Sequence, residues 1–350
     1  MKFRSKMVLA YTTVALLLSL VLGVVIARIS LQYEMNSQKN NLQISAKSFV
    51  SQMDEKLGRM DAIMNYILSD SVLLNSMSLL AENKEGDIPN RYVLDAKSNL
   101  GIGLTTEYIM KNSYRTVFFN YSSFLASSAT YTTGDGIVPK QRLISDFDVD
   151  EIPYLKSVTA ANGDSVIVAP HPDYWVYEKK VPVYSLMKSL RGDGMGFLEV
   201  ENKVEDLELL EKADPEMEFL IVVNGEELLY ASDKGYEEEL SESDLKRLES
   251  LAGAEVLTEQ GTIYTRASSS DFDLMVLAYK KNPMIGKERG QLFFIAFVST
   301  LVTFGFSLMM IIFWSGVLTR PIKRFQETVE NTNIENLLDN QHLDKAGGTD

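Results

Sequence analysis

The run MVLAYTTVALLLSLVLGVVIA (7–27) holds 21 residues without a charge between Lys6 and Arg28. A second run, Gly290–Thr319, holds 30 between Arg289 and Arg320 and contains LFFIAFVSTLVTFGFSLMMIIFW (292–314). A helix rises about 1.5 Å per residue and the hydrocarbon core of a bilayer is about 30 Å thick, so about 20 apolar residues span it. Both runs meet that length, and core helices of a soluble domain are seldom so long and so apolar. They read as transmembrane helices over 7–29 and 291–318. The first also exceeds the usual apolar region of a signal peptide, and no A-x-A cleavage pattern follows it, so it reads as an uncleaved anchor.

Lys2, Arg4 and Lys6 precede the first run, and Arg320, Lys323 and Arg324 follow the second. By the positive-inside rule both flanks, 1–6 and 319–350, are cytoplasmic, which predicts a two-pass protein of the cell membrane. Lys280, Lys281, Lys287 and Arg289 run against this orientation, but the rule is weak for long translocated segments. Residues 31–290 hold 26 Lys and Arg against 42 Asp and Glu, a net of −16. Such acidity excludes a nucleic-acid partner, which needs a basic footprint. The chain has no Cys, so disulfides, thiolate catalysis and Cys-ligated metals are excluded.

After the first run, Leu42, Phe49, Met53, Leu57, Met60, Met64 and Ile67 recur mostly at steps of three and four, one face of a long stalk helix that packs on a sheet. From Tyr114 the pattern turns to strands: RTVFFNY (115–121), SFLASSATYT (123–132), SVIVA (165–169), WVYEKKVPVYS (175–185) and GFLEVEN (196–202). A short helical stretch lies within 149–161. Gly134-Asp135-Gly136 and Gly192-Asp193-Gly194 mark turns; the latter precedes a strand and lacks a following Lys-Ser/Thr, so it is no phosphate loop. A second, smaller unit opens on an acidic helix, VEDLELLEK (204–212). MEFLIVV and EELLYAS follow, joined at Asn224-Gly225 as a two-residue hairpin. ESDLKRLESLAG reads as helix, GTIYTRA (261–267) and DLMVLAYKK (273–281) as strands. The division is 30–203 with the stalk, then 204–288.

PY (153–154), NG (162–163), WVY (175–177), VPV (181–183) and GMGFLEV (194–200) together resemble the core of a double Cache sensor domain. That family's pattern is an aromatic on a short helix, a loop glycine, a strand ending in a proline pair and a glycine turn into the last strand. LTRPIKRF (318–325) resembles the opening of a HAMP linker, and the whole is similar to the YesM-like group of sensor histidine kinases. The resemblance implies an α+β, tandem PAS-like extracytoplasmic domain on a stalk helix, followed by a partial HAMP linker at 319–350. It implies a two-component sensor whose kinase part lies beyond Asp350 and passes its signal to a cytoplasmic response regulator. Its ligand is a small molecule or a binding protein, carbohydrates and peptides among the candidates. Ligand contacts are expected at Tyr131, Tyr154, Asp173, Trp175 and Tyr177, in the concavity between sheet and helical cover. The front end of a chemoreceptor or nucleotide cyclase, or a doubly anchored enzyme, are the alternatives.

No catalytic set is visible. His342, in LLDNQHLDKAGG, reads as a linker residue, and His171, in APHPDYW, as a loop histidine. Asp146, Asp148, Asp150 and Glu151 lack the Gly and distal Glu of a calcium loop and read as solvated. No metal or cofactor is expected. Signal relay is expected at Pro321, Ile322 and Phe325: the second span runs helical through Leu318, Arg320-Pro321 bends or breaks it, and Ile322, Phe325, Val329 and Thr332 form a seam for a homodimer.

Overall fold

The computed structural model describes residues 3–83, 88–120, 124–128, 152–175, 181–190, 195–210, 216–233, 235–236, 239–253, 255–281 and 287–331. It divides into two compact units. Met1–Ser37 with Met284–Asp350 make a helical unit, and Gln38–Pro283 carry the sheets.

The apolar runs fall in α1 (Phe3–Ser69) and α7 (Lys287–Asn331), both long and apolar enough to cross a membrane. In the helical unit Gly23 faces Thr300, where an added Cβ would lie 2.2 Å from Thr300 Oγ1. Such close approach through a small residue is how helices associate where no water drives them together. Of the bend or break expected at Arg320-Pro321, the break does not occur: α7 continues through Pro321 as helix. Proline removes one i→i−4 bond, and the bonds on either side keep the helix. Ile322 and Phe325 stand exposed on it at 56% and 73%.

All seven apolar positions read for the stalk are buried on α1. Their spacing gives one face, and that face packs on the sheet unit: Phe49 stacks on Phe219 with centroids 4.0 Å apart. Each such side chain contributes about 1.5–3 kcal/mol when fully buried. Three helices then cross to the first sheet, α2 (Ser71–Glu82), α3 (Asn90–Leu104) and α4 (Glu107–Asn112). Asp70 caps α2, its carboxylate accepting from the Val72 and Leu73 amides.

The first sheet holds β1 (Arg115–Asn120), β2 (Phe124–Ser127), β3 (Ser165–Pro172), β4 (Pro182–Ser189) and β5 (Phe197–Lys203), with α5 (Leu155–Ala160) between β2 and β3. The second holds β6 (Met217–Val223), β7 (Glu227–Ala231), β8 (Leu257–Glu259), β9 (Thr262–Ser268) and β10 (Leu274–Lys281), with α6 (Glu242–Ser250) between β7 and β8. The strand orders are β2-β1-β5-β4-β3 and β7-β6-β10-β9-β8, antiparallel throughout. Counted within each sheet, both read second, first, fifth, fourth, third. One topology occurs twice, so the mixed helix-and-sheet fold in tandem units is as the sequence reads.

Local differences have local causes. The acidic stretch after β5 makes only a 3-10 turn, Val204–Leu207, before the second sheet begins. Trp175, placed on a strand by the sequence, sits in the turn after β3, and β4 begins at Pro182. The β6–β7 hairpin forms at Asn224-Gly225, both with positive φ (51° and 82°), but Val223 pairs with Glu227 and a bulge follows, so three residues make the loop. The two-residue turn is Gln260-Gly261, where Glu259 pairs with Thr262. Gly196 (φ +114°) opens β5, where a Cβ would meet the Phe119 carbonyl at 2.2 Å; glycine is required there.

Candidate functional site: a buried ionic network on the first sheet

Alternation along a strand puts Arg115, Val117 and Phe119 on one face of β1. The register sets Arg115 opposite Glu201, Val117 opposite Glu199 and Phe119 opposite Phe197 on β5, with Ser185 and Met187 of β4 beside Glu201 and Glu199. The face is thus apolar at one end and charged at the other. Val117, Phe119, Met187 and Phe197 pack with Ile152, Leu155, Val158 and Trp175. Trp175 is fully buried, its ring 4.7 Å from that of Phe119.

At the charged end, the side chains of Arg115, Asp173, Glu199 and Glu201 are at most 3% exposed. Asp173 is fixed by its loop: its amide donates to the Val181 carbonyl at 3.1 Å and its Oδ1 accepts the Trp175 amide at 3.0 Å. Its Oδ2 takes Arg115 Nη2 at 2.7 Å and the Tyr114 hydroxyl at 3.3 Å. Glu199 accepts from Ser185 Oγ at 2.7 Å, Trp175 Nε1 at 3.1 Å and the Tyr154 hydroxyl at 3.2 Å, with His171 Nε2 3.7 Å away. Glu201 has the poorest company: Arg115 Nε lies 3.2 Å from Oε2, and neither carboxyl oxygen has a hydrogen bond of good geometry.

Two carboxyl groups, those of Asp173 and Glu201, therefore share one guanidinium, with Glu199 in the same layer. Burial, then the negative charges of Glu199 and Asp173, push the Glu201 carboxyl well above its usual range, against the opposing pull of Arg115. Burial and the same glutamates raise Tyr154 and keep it a donor. Among the described residues no group of three or more His, Asp and Glu side chains is arranged to hold a metal ion.

The chain is similar to chemoreceptor ligand-binding domains. That of a Campylobacter jejuni chemoreceptor in complex with L-valine is 16% identical, over 71% of this chain and 95% of that one, with a TM-score of 0.46. That of a Pseudomonas fluorescens chemoreceptor in complex with L-serine is 12% identical, over 71% and 98%, at 0.44. That of a Pseudomonas aeruginosa amino-acid chemoreceptor in complex with GABA is 15% identical, over 70% and 99%, at 0.42. No protein-family model and no curated protein matches the chain.

Of the contacts expected from sequence, Tyr154, Asp173 and Trp175 converge on this network, while Tyr131 and Tyr177 lie outside the described residues. Asp146, Asp148, Asp150, Glu151, His342 and Thr332 lie outside them too. His171 is no loop histidine. It sits on β3, 8% exposed, against Ser185 Oγ at 3.3 Å and beside the rings of Tyr154 and Tyr174. Arg115, Glu199 and Glu201 had no part in the sequence-based list. The signal available was an Arg and two Glu alternating with apolar residues inside strand runs.

Proposed function

We propose that this chain is the extracytoplasmic sensing and membrane-spanning part of a receptor, and that the first sheet recognises a small ligand bearing an ammonium or guanidinium group. One observation carries the reading. The same strand topology is built twice, and the second sheet fills the corresponding layer with Leu220, Val222, Leu248, Leu277 and Tyr279. The first places three carboxyl groups there with one arginine. Buried charge adds less to stability than apolar packing of the same volume, so its retention in one copy marks a task other than folding. A cationic ligand would take the place of the Glu201 proton, with Trp175 and Tyr154 as aromatic walls.

The test is a thermal-shift series on the full chain in phosphatidylcholine nanodiscs with arginine, cadaverine, glucose and succinate. A cationic compound at a hundred times its Kd should add about 2.7 kcal/mol. Asp173→Asn and Trp175→Phe should each weaken it at least ten-fold, and Tyr264→Ala on β9 should not. Stabilisation by succinate or glucose alone, or equal loss in Tyr264→Ala, would overturn the assignment.

The resemblance of LTRPIKRF (318–325) to a HAMP opening supports a histidine-kinase output acting on a response regulator; a chemoreceptor output fits the same front end. The exposed Ile322 and Phe325 support pairing with a second copy. Ser127 is too buried for surface labelling, at 4%, whereas Ser250 is exposed. On intact cells Ser250→Cys should react with an impermeant thiol reagent. Phe325→Cys should not react, and in isolated membranes it should crosslink to a second copy. The reverse labelling pattern would sink the topology, and absence of crosslinks at 322 and 325 the dimer.

A further inference from the structure

β3 and β7 are edge strands of their sheets, and the two edges face a common groove of about 1050 Å³. They meet at one end, where the Asn224 side-chain amide donates to the Ile167 carbonyl at 2.8 Å. Away from that contact the groove opens between the end of β3 and the length of β7. The β3 wall is Ala169, Pro170, His171 and Pro172, with Pro182 beside it. Two prolines in four residues remove amide donors, so this edge is blunted. The β7 wall, ELLYA (227–231), has no proline and, among the described residues, makes no backbone hydrogen bond beyond its ladder with β6. An open strand edge is a template for another strand.

The lining also has a sign. Glu208, Glu226, Glu227, Asp233 and Glu239 border the groove, and no Lys or Arg is among its described lining residues. Its apolar lining includes Leu228 and Leu240 on one face of the sheet and Tyr230, past the bulge, on the other. An occupant that pairs with β7 presents alternate side chains to the two faces of the sheet, with the carboxylates along the edge.

We propose that this groove binds an extended cationic peptide with alternating basic and aliphatic residues, which adds to β7 as a further strand. Main-chain hydrogen bonds to β7 supply affinity, and the carboxylates select charge. The site shares only His171 with the ionic network, and its peptide is tested independently of the ligand proposed there.

The probe is a fluorescein-labelled octapeptide of alternating Lys and Val, read by anisotropy against the full chain in phosphatidylcholine nanodiscs. Binding should saturate and weaken with added salt. The Glu-Val counterpart should not bind. A Lys-Val peptide N-methylated at alternate residues should bind at least ten-fold more weakly, because it lacks the donors for the ladder. Glu226→Lys/Glu239→Lys should also lose at least ten-fold; both side chains are exposed, so an unchanged Tm is expected and fold loss is not a confounder. Tyr264→Ala on β9, outside the groove and the network, should leave peptide affinity unchanged. No binding, equal binding of the N-methylated peptide, or an unaffected charge-reversal variant would each overturn the proposal. So would self-association abolished by the same double variant, which would assign the edge to a second copy of the chain.

Discussion

Arg115→Met is expected to lose about 3–5 kcal/mol of folding stability, the usual consequence of removing one partner from a buried ion pair. The guanidinium is 3% exposed and is the cation that Asp173 and Glu201 share, at 2.7 and 3.2 Å. Without it two carboxyl groups confront each other in a layer closed to water, and the Asp173 loop that positions Trp175 loses its anchor. Urea unfolding of the full chain in detergent, followed by tryptophan fluorescence, reads the loss. The triple variant Arg115→Met/Asp173→Asn/Glu201→Gln should recover most of it, because a neutral set leaves no uncompensated charge. A single-variant loss below about 1 kcal/mol, the range of exposed pairs, would show that water reaches the network.

The second large effect is on pH. A carboxyl whose value is raised by folding holds a proton that the unfolded chain has released, so stability falls as pH rises. For Glu201 the window opens above the ordinary glutamate value of 4.5 and extends to its raised one. Within it the slope reaches about 1.4 kcal/mol per pH unit. Glu201→Gln cannot ionise. It should match the native chain in acid, exceed it in Tm near neutrality, and show a flatter profile through the window. Parallel profiles for the two proteins would mean that Glu201 ionises as an ordinary surface carboxylate does.

What the sequence made legible was whatever repeats with a regular period. The stalk face of α1 could be read residue by residue because steps of three and four have one structural solution. Four strands of the second sheet, β6, β7, β9 and β10, were found within a residue or two for the same reason, with Asn224-Gly225 marking a turn, while the three-residue β8 is too short to show a period. α2 to α4 were not, because α3, NRYVLDAKSNLGIGL, carries glycines that read as breakers. Gly103 is there for contact: an added Cβ would lie 2.3 Å from Leu73 Cδ2 of α2. Only tertiary packing explains that choice.

The site was half legible. Aromatic residues and a loop aspartate drew attention to Tyr154, Asp173 and Trp175. The strand charges did not, since alternation assigns Glu199 and Glu201, interleaved with Leu198 and Val200, to a solvated face. That inference presumes a sheet with one wet side. Here both parities of β1 and β5 are buried, with Phe118, Leu198 and Val200 as well covered as Arg115, Glu199 and Glu201. A single strand cannot announce that its second face is covered by elements distant in sequence.

His171 touches both places that matter in the sheet unit. Its ring lies against Ser185 and Glu199 within the network, and the same residue forms part of the groove wall beside β7. The chain has two histidines. Selective isotope labelling of that residue type would therefore leave a spectrum of a few ring resonances in a protein of 350 residues. One set belongs to a side chain that borders both candidate sites, an observer already installed by the sequence.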